Sequence, residues 1–87
     1  MESDLKLSHS YKLKGGASYR LVPTRGNEVD LEVNGIVLST YANRHEARMA
    51  AVDHAERAGT TDIKGLVDMP NIGLWLEKIV DVGQGAD

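Results

Sequence analysis

The sequence predicts an α+β domain: an antiparallel β-sheet of four or five strands with one α-helix, about residues 44–58, packed on one face, in the order ββ(β)αβ(β). Three observations lead there. Residues 28–40 make two runs of alternating apolar and polar side chains joined by Asn34-Gly35. Alanines at 47, 50, 51, 55 and 58 form a small-residue stripe at helical spacing. The 87 residues hold no cysteine, so one small core must close without disulfides.

Composition narrows the function. Ten basic and thirteen acidic residues give a formal charge of -3. Apolar runs are far shorter than the roughly 20 residues of a membrane-spanning helix, and the opening Met1-Glu2-Ser3-Asp4 is acidic. The expectation is a soluble protein with no signal peptide, no membrane contact and a cytoplasmic location, to which the lack of thiols is suited. The charge is uneven: residues 1–25 carry +3 and residues 26–87 carry -6.

Residues 1–17 combine serines, lysines and Gly15-Gly16 with an alternation of Leu5, Leu7, Tyr11 and Leu13. They read as a flexible basic arm or an added edge strand, ahead of a single domain over 18–82. Tyr19 to Pro23 is the next strand, with Pro23 at its end, where a missing N–H costs least. Thr24 to Asn27 is a turn. In the hairpin, Asn-Gly suits the two positive φ angles of a type I′ turn. A two-residue loop sets Val33 opposite Ile36 and Leu31 opposite Leu38, with Val29 on the same apolar face and Asp30, Glu32 and Ser39 toward water.

Asn43 three residues before Glu46 resembles a capping box, and Gly59 stands where a left-handed cap belongs, so the helix runs from Arg44 to Ala58. The alanine stripe lets it lie close on a sheet. Asp62 to Val67 reads as a strand and Met69 to Gly73 as a turn. Leu74 to Val82 reads as a strand, although Trp75, Ile79 and Val82 also fit one helical face. Residues 83–87 read as a disordered tail. Trp75, in a chain without phenylalanine, is expected to anchor the core or an interface.

The polar residues give little support to catalysis. His45, Glu46, Asp53, His54 and Glu56 share the helix, but His45 and His54 are nine apart and so on opposite sides, while Glu46 and His54 diverge by about 80°. No metal and no cofactor are expected. His54, beside the alanines, is expected half-buried and hydrogen-bonded at the core margin. Serines 3, 8, 10, 18 and 39 lack a nucleophile-elbow context, Asp30 and Glu32 lie on a solvated strand face, and Gly15-Gly16 and Gly26 match no phosphate-binding loop. The expectation is a protein that is not an enzyme.

Two binding readings follow. The leading one is a small non-enzymatic protein that binds another protein, of the inhibitor or adaptor kind that phages and mobile elements direct at a host, with Tyr19, Arg20, Asp30, Glu32, Val37 and the arm in contact. A sheet with one helix also leaves a face that a second copy could cover, giving a homodimer. The alternative is a nucleic-acid-binding accessory or regulatory protein using Lys6, Lys12, Lys14, Arg20 and Arg25, with Tyr11 and Tyr19 interleaved as stacking groups. An acidic protein is an unusual vehicle for that role. The acids Glu28, Asp30, Glu32, Asp62, Asp68, Glu77 and Asp81 could conversely imitate nucleic acid, though a solvated surface explains them equally well.

Between Tyr19 and Lys78 the chain carries Val22-Pro23 closing a strand, Val33-Asn34-Gly35 closing another, Glu46-Ala47 opening an alanine-rich helix that stops at Gly59, then Ile63 and Gly73. In these turn and packing positions it resembles the small bacterial domain-of-unknown-function family 2188. It lacks that family's aromatic residue after the first turn and the histidine of its fourth strand. The resemblance implies a ββαβ-type fold and no catalytic residue.

Overall fold

The computed structural model describes residues 5–24, 26–59 and 62–82. Their order is β1 (Leu5–Lys12), β2 (Ser18–Pro23), β3 (Val29–Val33), β4 (Ile36–Tyr41), α1 (Arg44–Arg57), α2 (Ile63–Asp68), a 3-10 turn (Ile72–Leu74) and β5 (Leu76–Asp81). The strands form one antiparallel sheet in the order β4-β3-β2-β1-β5, and α1 packs across β2, β3 and β4. This is the expected α+β architecture. No helix among the described residues is long and apolar enough to cross a membrane.

Strand alternation sorts the sheet into two faces. On the helix side, Tyr19 and Leu21 of β2 stand opposite Val33 and Leu31 of β3, and all but the half-buried Val33 are buried. Ala47, Ala51 and Ala55 of α1 are fully buried against them. Small side chains bring the helix axis close to the sheet, which compensates for a core without phenylalanine. Leu13, Met69 and Trp75 continue the core at one end, where the indole Nε1 donates to the Met69 carbonyl at 2.6 Å and the ring meets Tyr11 at 5.6 Å.

The caps are where the sequence placed them. The Asn43 side chain accepts from the Glu46 N–H at 2.9 Å, and α1 ends with Ala58 as its C-cap, followed by Gly59 at positive φ. The β3–β4 turn has both residues at positive φ, Asn34 at 54° and Gly35 at 87°, as type I′ requires. Asn34 also ties this tip to β2, its Oδ1 accepting from the Ser18 N–H and its own N–H donating to the Ser18 carbonyl.

Three expectations are corrected. Residues 5–12, read as an arm or added edge strand, form β1, which lies inside the sheet: Leu5 to Ser10 pair with β5 and His9 to Lys12 with β2. Residues 62–67, read as a strand, open α2. Asp62 caps it by accepting from the Gly65 N–H at 2.9 Å, and helical spacing buries Gly65 and Met69 together, which alternation would not. In the hairpin Val33 does face Ile36, but pairing then steps from Val37 opposite Glu32 to Ser39 opposite Leu31. Leu38 is the extra residue of a bulge and does not join the apolar face, and Ile36, although paired with Val33 as expected, is 72% exposed and outside the core as well. Leu74 to Val82 forms the expected strand over Leu76–Asp81, and the proposed tail, 83–87, lies outside the described residues.

Candidate functional site

Among the described residues, no helix packs on the sheet face turned away from α1. Its side chains are the alternates of the core residues. One row crosses all five strands in register: Val37 of β4, Glu32 of β3, Arg20 of β2, Ser10 of β1 and Leu76 of β5. Both ends of the row are apolar and open, Val37 at 52% and Leu76 at 76% exposure. The middle is charged, with the Arg20 guanidinium 3.6 Å from the Glu32 carboxylate.

Beside this row lies a hollow of about 300 Å³, bordered by Ser10, Lys12, Ser18, Arg20, Glu32 and Leu76. Lys12 has no hydrogen-bond or ion-pair partner among the described residues, so its ammonium is available at the rim. Lys78 lies on the same face across β5, and Lys6 also points there, donating to the carbonyls of Thr24 at 3.0 Å and Gly26 at 2.6 Å. The β5-β1-β2 half of the face is therefore basic on an acidic chain. The β3 side is acidic, where Asp30 accepts from the Thr40 hydroxyl at 2.5 Å and Glu32 holds Arg20.

Of the residues expected at a protein contact, Arg20, Asp30, Glu32 and Val37 share this face. Tyr19 does not. It is odd-numbered in a strand whose even positions face outward, and it is buried at 1% exposure with its hydroxyl on His54. The same alternation separates the cations from the rings: Lys12 and Arg20 face outward, Tyr11 and Tyr19 inward, so these tyrosines do not flank the cations as stacking groups. Lys14 sits in the β1–β2 connection, where its backbone N–H donates to Asp62, and Arg25 lies outside the described residues. Ser10, Leu76 and Lys78 were not singled out from sequence. Alternation within 74–82 does put 76 and 78 on one face, but only the pairing with β1 brings that face beside Arg20.

The titratable side chains elsewhere are scattered. His54 hydrogen-bonds the Tyr19 hydroxyl through Nδ1 at 2.7 Å, as expected of a core-margin histidine, and His45 contacts Arg48 at 3.1 Å. His9 is buried on the helix side, with Nε2 3.3 Å from Glu77. Among the described residues no three histidine, aspartate or glutamate side chains converge as a metal site would require. Asp62 accepts from the backbone N–H groups of Gly65 and Lys14, which hold its carboxyl below the ordinary value.

The chain matches no protein-family model, no curated protein and no solved structure.

Proposed function

We propose that this protein is a non-enzymatic binding protein whose uncovered sheet face docks another protein. The observation that supports this most is the five-residue row Val37, Glu32, Arg20, Ser10 and Leu76, which presents apolar ends, a charged centre and the adjoining hollow on one rigid sheet. Apolar groups exposed around a few fixed polar ones are what a partner's side chains can desolvate with gain. Arg20 and Glu32 are already an ion pair at 3.6 Å, so the centre presents paired charges of both signs to a partner. The inhibitor or adaptor role suggested by a small acidic chain belongs to this reading.

A nucleic-acid role is the second reading, favoured by Lys6, Lys12, Arg20 and Lys78 on one face. The two separate in one experiment. Tagged protein is used to capture partners from native lysate with and without nuclease, for the wild type and for Leu76→Glu and Lys12→Ala. A stoichiometric protein that survives nuclease and is lost with Leu76→Glu supports protein docking. Recovery of nucleic acid alone, falling steeply with salt and with Lys12→Ala, overturns it in favour of the second reading.

A further inference from the structure

We infer that β5 is a self-recognition edge: two copies of the chain join β5 to β5 antiparallel, centred on Ile79, to make one continuous sheet. This is a second site, at the rim of the sheet, and leaves the face proposed for a partner open.

The two edges of the sheet differ. β4 is broken by the bulge at Leu38, which interrupts the ladder an added strand would extend. β5 runs Leu76 to Asp81 with no bulge and no proline, paired to β1 along its whole length, and α1 packs instead on β2, β3 and β4. Its outer side carries backbone N–H and C=O groups in the spacing that another strand completes. The helix-side surface here is apolar and uncovered: Ile79 is 63% exposed, directly opposite Leu7, with Leu5 exposed next to it.

Symmetry then selects the register. In an antiparallel pair related by a two-fold axis through the sheet, facing residues lie on the same face, so one residue must meet its own copy on the axis. Centring on Lys78 or Glu77 sets like charges against each other on the axis, and centring on Val80 sets Ile79 against Asp81 and leaves the Leu7–Ile79 patches unjoined. Centring on Ile79 sets isoleucine on isoleucine and joins the two Leu7–Ile79 patches. It also sets Lys78 against Val80 and Leu76 against Val82 on the other face. The register has one unfavourable feature, Glu77 opposite Asp81 at each end, and this gives it a signature.

Native cysteine is absent, so single cysteines report the register directly. Ile79→Cys places two thiols on the axis within disulfide reach, whereas Leu76→Cys and Val37→Cys do not. The wild type, sized by light scattering from millimolar to micromolar concentration, is expected to pass from dimer to monomer. Ile79→Cys is expected to cross-link under mild oxidation at least tenfold faster than the other two. Ile79→Lys, at an exposed position, is expected to stay monomeric with an unchanged circular dichroism spectrum, and Asp81→Asn to tighten the dimer. A wild type that is monomeric throughout overturns the inference, as does cross-linking through Val37→Cys as fast as through Ile79→Cys.

Discussion

The Tyr19 hydroxyl stands 2.7 Å from Nδ1 of His54, with the rings edge to face at 5.5 Å, and so fastens β2 to α1 at the margin of the core. Burial pushes the Tyr19 phenol up from its ordinary value, so the hydroxyl keeps its proton and pairs with the imidazole as a neutral group. Tyr19→Phe keeps the ring and removes the donor. The expected loss is about 1 kcal/mol, against about 3–5 kcal/mol for Tyr19→Ala, which also empties the core position. Urea unfolding followed by Trp75 fluorescence measures both.

Gly65 is expected to resist substitution because of a close approach. A Cβ there would meet the Asp62 carboxylate and lie 2.8 Å from Leu13 Cδ2, in the fully packed end of the core. Gly65→Ala must displace the cap of α2 or the Leu13 side chain, at a cost of about 1–3 kcal/mol. Alanine usually favours a helix, so a stabilised Gly65→Ala in thermal melts would contradict this packing.

At the hairpin tip, Gly35→Ala forces a Cβ into the left-handed region and is expected to destabilise by about 1–2 kcal/mol. Asn34→Gly keeps the φ angle but loses the acceptor for the Ser18 N–H. It is expected to cost less than Gly35→Ala, and a chemical-denaturation comparison of the two separates backbone conformation from the tie to β2.

Stability is expected to fall at both ends of the pH range, for opposite reasons. Burial raises the Tyr19 phenol. Tyr11 is raised by burial first and then by the charges of Asp68 and Asp62. The unfolded chain therefore loses these protons first, and the stability present below about pH 10 is lost above it. Asp62 has the reverse sign: its depressed folded value contributes stability above the ordinary carboxylate range, and this is lost as pH falls through the folded value. Thermal midpoints across pH are expected to show Tyr19→Phe flattening the alkaline limb and Asp62→Ala flattening the acid limb.

What the sequence revealed of the fold was mostly local. Asn34-Gly35 dictates its own turn, and Asn43, the alanines and Gly59 define α1 from within about 16 residues. α2 is not legible locally, because six residues containing Ile63 and Val67 look like a strand and the helical form depends on Asp62 capping Gly65 and on Leu13 fitting against that glycine. The bulge at Leu38 left no local sign. Alternation alone could have separated Lys12 and Arg20 from Tyr11 and Tyr19. Their row with Leu76 could not be read, because it depends on β1 pairing with β5, Ser10 with Leu76 across 66 positions of the chain.

That long-range pairing sets the order in which the molecule assembles and comes apart. β1 to β4 and α1 join neighbours close in the chain, whereas β5 has one sheet partner and must find it across nearly the whole sequence. Loop closure of that span carries the largest entropic cost, so β5 is expected to dock last, on a meander already formed. It is also expected to open first, its amides exchanging hydrogen ahead of those in β2 and β3. Each such opening strips one side of β1 and leaves this interior strand as a new, unguarded rim.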